Sequence, residues 1–173
     1  SSIISIIQKF YDAKFFGPRM EYVLRNTILT ALETPDPTLQ TILDILTKPK
    51  YRKTVVSGLT NKVLQDYWIY EFQKLSVLQR NSVISPITNK IGGLLSSPIN
   101  YNILSQTKSK VDFEDIINSG KILLCDLSKG KIGEDESSFF GSLILAKIQL
   151  AALQRAHIKE NDRKDFYLYV DEF

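Results

Sequence analysis

The sequence is poor in the residues that form disulfides and soft metal sites. Its 173 residues include a single cysteine, Cys125, and a single histidine, His157. One cysteine excludes a disulfide within the chain and a cysteine-based zinc site, and one histidine excludes a metal site that needs two. A single histidine also weakens any Ser-His-Asp scheme. Because Cys125 lies in an apolar run, we expect an inert, buried thiol there.

Long apolar runs are also missing. No stretch approaches the roughly 18–20 apolar residues that a membrane-spanning helix requires, and no signal-peptide pattern opens the chain. We therefore expect a cytoplasmic protein, with any attachment to the inner face of the cytoplasmic membrane supplied by segments outside this sequence. Since the chain begins with Ser1 and its only methionine is Met20, we expect processing or further sequence upstream.

The composition is that of a globular protein of mildly basic character. Hydrophobic residues make up 43% and charged residues 24%, and the net charge is +3 from 22 basic and 19 acidic side chains. This balance permits a nucleic-acid partner without requiring one. The densest basic stretch is Lys-Pro-Lys-Tyr-Arg-Lys at residues 48–53. It favours a solvated helix start, with a phosphate-contacting patch as the alternative.

Residues 1–110 are predicted to form an all-α region. Apolar residues recur at spacings of three and four, which indicates amphipathic helices. Asn61 is a predicted N-cap, and Pro86 predicts a kink or a boundary between two helices. The predicted helices cover residues 2–14, 18–33, 39–46, 49–56, 61–75 and 77–96.

Residues 111–173 change in character and predict an α/β fold. A short capped helix at 112–118 is stopped by Gly120 and followed by an apolar strand at 121–127. A long helix at 136–157 then leads to a second apolar strand that ends the chain. Strand, crossover helix and strand predict a right-handed parallel βαβ unit, with further strands required from elsewhere.

Polar residues follow both predicted strands. Ser128 and Lys129 follow the first, and Asp171 and Glu172 follow the second. Because ligands of open α/β sheets bind at the carboxyl ends of the strands, we expect these residues to share one rim. Asp171 could then hold a magnesium-bound water and Glu172 could orient or deprotonate the attacking water. The alternative is a strand that simply runs into a polar loop.

The motif that usually accompanies such carboxylates is missing. The sequence contains no Gly-x-x-x-x-Gly-Lys-Ser/Thr loop, which is the motif that cradles nucleotide phosphates. Residues 130–133 carry Gly and Lys at the wrong spacing, and the acidic Glu134 and Asp135 follow directly. We therefore expect this chain to bind ATP poorly and to be inactive by itself.

A set of short landmarks occurs in order along nearly the whole chain. They are Gly17-Pro18-Arg19, Leu24-Arg25-Asn26, Asn89-Lys90 with Leu94-Leu95, Gly120-Lys121-Ile122-Leu123, Leu127-Ser128-Lys129-Gly130 with Gly133, Arg155, and Tyr169-Val170-Asp171-Glu172-Phe173. With these landmarks the chain resembles the motor domain of conjugative DNA-transfer ATPases, the coupling-protein relatives within the HerA/FtsK superfamily.

The resemblance implies a RecA-like P-loop NTPase core with a helical insertion, and a sequence that stops at the Walker B strand. It also implies ATP and Mg²⁺ as cofactors of the full protein, a homo-oligomeric ring, and DNA in the central channel. A relaxase-like protein or a secretion channel are further implied partners. The phosphate loop, the downstream polar sensor and most of the sheet are missing from this chain.

The resemblance assigns roles to individual residues. Asp171 would be the magnesium-side carboxylate and Glu172 the catalytic one. Arg155 would be a finger that reaches a neighbour's phosphates, or a solvated basic residue at a helix C-terminus. Arg19 and Arg25 would pair with carboxylates or contact DNA. The expected function is part of an ATP-driven DNA-translocating motor; the alternative is a non-catalytic helical module that binds DNA or protein.

Overall fold

The computed structural model describes residues 17–171, which form two compact units, 17–108 and 109–171. The predicted helix at 2–14 and the catalytic candidate Glu172 lie outside the described residues. We describe each unit by itself.

The first unit, called the helical unit below, consists of helices joined by short turns. Asn61 is confirmed as an N-cap, because its Oδ1 accepts hydrogen bonds from the backbone of Val63 at 2.9 Å and Leu64 at 3.4 Å. Pro86 lies inside one continuous helix, so the predicted boundary there is wrong. The elements are α1 (Pro18–Leu32), α2 (Leu39–Thr47), α3 (Pro49–Ser57), α4 (Lys62–Asp66), a π-helical turn (Tyr67–Phe72), α5 (Val77–Ser96) and α6 (Pro98–Leu104).

The core of the helical unit forms where α1, α2 and α5 pack together. Leu24, Ile45 and Ile87 supply fully buried side chains from these helices. The π-helical turn is joined to α1 by a buried hydrogen bond, in which Trp68 Nε1 donates to Thr30 Oγ1 at 2.7 Å. This bond sets the position of the aromatic residues on the turn.

The second unit is organised by one long helix. It contains α7 (Phe113–Ser119), α8 (Lys129–Ile132) and α9 (Glu134–Gln154), followed by the 3₁₀ turns Arg155–His157 and Glu160–Asp162. α7 packs on α9. The predicted short helix is confirmed: Asp112 Oδ1 accepts from the backbone of Asp115 at 3.0 Å, and Gly120 ends the helix at φ +70°, where glycine is favoured.

The predicted parallel βαβ unit is wrong, and so is the α/β fold class with its partial RecA-like core. Residues 17–171 contain helices and turns but no strand and no sheet. Residues 121–127 and 164–170 are irregular, and no backbone hydrogen bond joins them. Ile122 and Leu124 are each 88% exposed, and Tyr169 is 89% exposed.

The physical reason is that a β-strand forms only when adjacent strands pair with it. Apolar, β-branched runs have strand propensity, but the ladder of hydrogen bonds and the packing of a sheet face come from adjacent strands. Among the described residues these two runs have no third strand to pair with, and they are irregular. For the same reason Cys125 is exposed, not buried as predicted.

None of the helices within residues 17–171 has both the length and the apolar character needed to cross a bilayer.

Candidate functional site

The predicted nucleotide-contacting residues lie in a loop whose charges are already paired. Ser128 precedes α8, and its backbone N–H donates to Asp126 Oδ1 at 3.1 Å. Lys131 Nζ pairs with the other oxygen of Asp126, and Lys129 Nζ pairs with Glu134 Oε1 at 3.4 Å. Donation from Lys131, followed by Ser128, lowers the pKa of Asp126 to about 2. The lysines of this loop are therefore engaged by carboxylates.

This loop does not fit a magnesium–nucleotide group by itself. Three acidic side chains, at 134–136, occupy the first turn of α9, where they would repel a triphosphate. Asp171 is exposed. Among the described residues no three His, Cys, Asp or Glu side chains group in a way that could hold a metal.

Arg155 is bound to its own chain. It caps the C-terminus of α9, and its Nη2 donates to the carbonyl oxygen of Lys164. Its Nε is buried without an acceptor within residues 17–171. The contact ties the segment that follows the 3₁₀ turns to the end of α9, so the action of Arg155 on a neighbour's phosphates stays a prediction.

The two arginines of α1 separate into different environments. Arg25 forms an ion pair with Glu21 at 2.8 Å, one turn earlier on the same helix. Arg19 is exposed and forms no ion pair with any described residue. Arg25 therefore pairs with a carboxylate, which is one of the two roles, carboxylate pairing or DNA contact, that the sequence left open.

The basic stretch at 48–53 forms the start of α3. Lys48 precedes the helix and pairs with Asp44 at 2.8 Å. Lys50 and Lys53 are exposed, and no carboxylate within the described chain pairs with either. Tyr51 lies between them in sequence and is partly exposed. The stretch therefore presents two uncompensated ammonium groups and one aromatic ring.

Arg52 turns away from this surface. Its Nη1 donates to the carbonyl oxygens of Ile45 at 2.8 Å and Leu46 at 3.1 Å, near the C-terminus of α2. Its Cζ lies over the Phe72 ring, 5.0 Å from the centroid. Arg80, in the first turn of α5, lies over the same ring at 5.2 Å. We call Arg52, Arg80, Tyr67, Trp68 and Phe72 the Phe72 cluster.

Tyr67, Trp68 and Phe72 form a compact aromatic group, and each is at most 4% exposed. Trp68 and Phe72 have ring centroids 4.7 Å apart, and Tyr67 and Trp68 lie at 4.9 Å. The rings of Tyr22 and Tyr67 pack edge to face, with centroids 5.3 Å apart. In the π-helical turn the N–H of Gln73 bonds the Trp68 carbonyl, five residues back, at 3.2 Å. Residues five apart are aligned in such a turn, so Tyr67 and Phe72 both face inward.

The electrostatics of the Phe72 cluster are unusual in two respects. Burial, and then the neighbouring charge of Arg80, lower the pKa of Arg52. Burial raises the pKa of Tyr67, and its hydroxyl finds no hydrogen-bond partner within the described residues. Tyr22, in contrast, donates to both carboxylate oxygens of Glu71 at 3.2 Å. A buried hydroxyl without a partner requires an explanation, because such groups are rare in folded proteins.

The sequence analysis missed this cluster. Apolar spacing predicts that Tyr67, Trp68 and Phe72 face inward on a helix. It does not predict that this part of the helix has π-helical hydrogen bonding. Arg52 and Arg80 are far apart in sequence, and only the packing of α3 and α5 around the turn brings them to one ring.

Comparison with known proteins adds no identity to this chain. We found no match among protein-family models, among curated proteins or among solved structures.

Proposed function

We propose that the helical unit binds DNA through α3, as the DNA-contacting part of an ATP-driven DNA-translocating motor related to conjugative coupling proteins. The observation that carries the first half is that Lys50 and Lys53 are exposed and that neither forms an ion pair with a carboxylate among residues 17–171. The second half is supported by the order of the sequence landmarks alone. The failure of the βαβ prediction removes the structural argument for the motor.

The chemistry of α3 suits a phosphate backbone. Lys50 and Lys53 are three residues apart, so they lie on the same side of the helix. The helix contains no acidic residue, and its N-terminus carries the positive end of the helix dipole. Neutralising phosphates with such cations releases counterions, which is the main source of non-specific affinity for DNA. The partly exposed ring of Tyr51 adds a surface on which an unpaired base could stack.

Salt dependence tests the DNA contact. Affinity for a fluorescent DNA duplex is measured by anisotropy over a range of salt concentrations. The double variant Lys50→Gln, Lys53→Gln should reduce the slope of log affinity against log salt by about 1.8, because each phosphate contact contributes about 0.9. Lys108→Gln, Lys110→Gln removes the same charge from exposed positions outside α3 and serves as the matched control. Equal slopes for the two double variants would refute a contact through α3.

Catalytic turnover tests the motor. In a protein that carries this sequence together with a phosphate-binding loop, we expect DNA-stimulated ATP hydrolysis. Glu172→Gln should abolish hydrolysis and spare ATP binding, because the amide cannot accept a proton. Undiminished hydrolysis by this variant would reject the role of Glu172.

The proposal extends to assembly and location. A motor of this class would work as a homo-oligomeric ring in the cytoplasm, with DNA in its channel and a relaxase-like protein or a secretion channel as partner. Attachment to the cytoplasmic membrane would come from segments outside this sequence.

A second candidate function is a non-catalytic helical module that docks a protein. It is favoured by the poor fit of the loop at 126–134 to a nucleotide. A protein-docking surface predicts affinity for its partner that changes little with salt, whereas phosphate contacts predict a steep fall. In the DNA anisotropy experiment, affinity that falls steeply with salt and depends on Lys50 and Lys53 supports the first candidate, whereas no measurable affinity for DNA supports the second.

A further inference from the structure

We propose that Arg52 and Arg80 form a binding site for a single phosphate-class oxyanion in the helical unit. The two guanidinium groups lie over one ring, with Cζ atoms 5.0 Å and 5.2 Å from the Phe72 centroid. Phe72 itself is only 1% exposed, and both arginines are half-buried. The site differs from the exposed lysine surface of α3, because its two arginines are half-buried and their guanidinium groups are held by backbone carbonyls.

The arginines have donors to spare. A guanidinium group carries five N–H donors on three nitrogens. Arg52 uses Nη1 for the carbonyls of Ile45 and Leu46. Arg80 uses Nη2 for the carbonyls of Gln73 and Leu75, at 3.3 Å and 3.4 Å. Within residues 17–171 no acceptor meets the other nitrogens, and Arg80 Nε is buried without a partner.

The charge of the pair is also uncompensated. No described carboxylate forms an ion pair with Arg52 or Arg80. Glu71, in the π-helical turn, accepts instead from the Tyr22 hydroxyl. Backbone carbonyls supply only partial negative charge, so they do not balance the two guanidinium charges. Burial, and then the charge of Arg80, lowers the pKa of Arg52, so the two like charges act on each other. A bound anion would remove this repulsion.

The geometry favours an oxyanion over a simple halide. The carbonyl contacts and the Phe72 ring hold each guanidinium plane in place before a ligand arrives, which lowers the entropy lost on binding. Planar guanidinium forks match the oxygen edges of phosphate and bind them in pairs of hydrogen bonds. The phosphate could be free or part of a nucleic-acid backbone. If the phosphate belongs to a nucleic-acid backbone, the inference rests on the proposed DNA contact. If the phosphate is free, the inference is independent of that contact.

Inorganic phosphate is the direct probe. The intact chain, labelled with ¹⁵N, is titrated with phosphate at constant ionic strength maintained with sodium chloride, and the Arg Nε–Hε resonances are followed by NMR. We expect the Arg52 and Arg80 resonances to shift together with one dissociation constant. Arg80→Gln should weaken binding by about tenfold or more, since it removes a charged donor group.

Matched variants separate a site from general charge. Lys62→Gln removes the same charge from the same unit at an exposed position outside α3 and should change phosphate affinity by less than about twofold. Arg80→Lys and Arg52→Lys keep the charge but lose the planar fork, and each should also weaken binding clearly. The lysine variants keep the test decisive if a glutamine variant unfolds, which circular dichroism would reveal.

Two results would overturn the proposal. One is the absence of any arginine shift at matched ionic strength. The other is a Lys62→Gln variant that weakens phosphate binding as much as Arg80→Gln does. A DNA oligonucleotide then identifies the source: shifts of the same resonances indicate a backbone phosphate, and phosphate shifts without oligonucleotide shifts indicate a free phosphate ligand. If the double variant Lys50→Gln, Lys53→Gln loses DNA binding but keeps the phosphate-induced shifts of Arg52 and Arg80, the result supports the DNA contact through α3 and leaves the phosphate site unaffected.

Discussion

Replacing Tyr67 with phenylalanine should make the helical unit more stable. Tyr67 is 4% exposed and is surrounded by the rings of Tyr22, Trp68 and Phe72. Its hydroxyl has lost water and gained no partner within the described residues. The same lack of solvation raises the pKa of Tyr67. Removing one oxygen atom therefore removes an unfavourable desolvation term and leaves the ring contacts in place.

The expected size follows from the cost of an unsatisfied buried group. Such a group destabilises a folded protein by about 1–3 kcal/mol. The small void left by the oxygen takes back part of this gain. We expect the free energy of unfolding to rise by about 1 kcal/mol, which corresponds to about 4–8 °C in the melting temperature of a domain of this size.

Urea unfolding followed by tryptophan fluorescence measures the effect locally. Trp68 is the only tryptophan, and its ring lies 4.9 Å from Tyr67. Tyr22→Phe is the matched control, because it makes the same chemical change in the adjacent ring. It removes a hydroxyl that donates to Glu71, so it should lower stability by about 0.5–1.5 kcal/mol. A Tyr67→Phe variant that is less stable by about 1 kcal/mol, with an unchanged denaturant slope, would show that the hydroxyl has a partner.

Two further outcomes follow from contacts described above. Thr30→Val should lower the free energy of unfolding by about 1–3 kcal/mol, because the buried Trp68 indole N–H loses its acceptor; Thr30→Ser keeps the acceptor and should cost less in the same urea assay. The folded pKa of Asp126 is lowered from 3.8 to about 2, so its contribution to stability is complete above about pH 4 and is lost as the pH falls through about 2. In ¹³C NMR, Lys131→Gln should raise the titration midpoint of the Asp126 carboxyl, and an unmoved midpoint would contradict the pairing.

Local signals were sufficient for much of the helical architecture. Asn61 caps α4 and Asp112 caps α7 because each side chain reaches backbone N–H groups two or three residues later, a contact that needs no tertiary partner. Gly120 ends α7 because its positive φ is accessible to glycine at little cost. Pro49 opens α3 because the first turn needs no N–H at that position.

The sequence by itself determined several helix ends, such as those at Asn61, Asp112 and Gly120, because a cap acts over a few residues. It did not determine that one helix continues through Pro86. It could not determine the fate of residues 121–127 and 164–170, since a strand is made by its neighbours in space. It also gave no sign of the Phe72 cluster. That site exists because a π-helical turn aligns Tyr67 with Phe72, and because the packed helices carry Arg52 and Arg80 to the same ring. Only tertiary structure decides contacts of this kind, since chain separation imposes no constraint on which side chains meet.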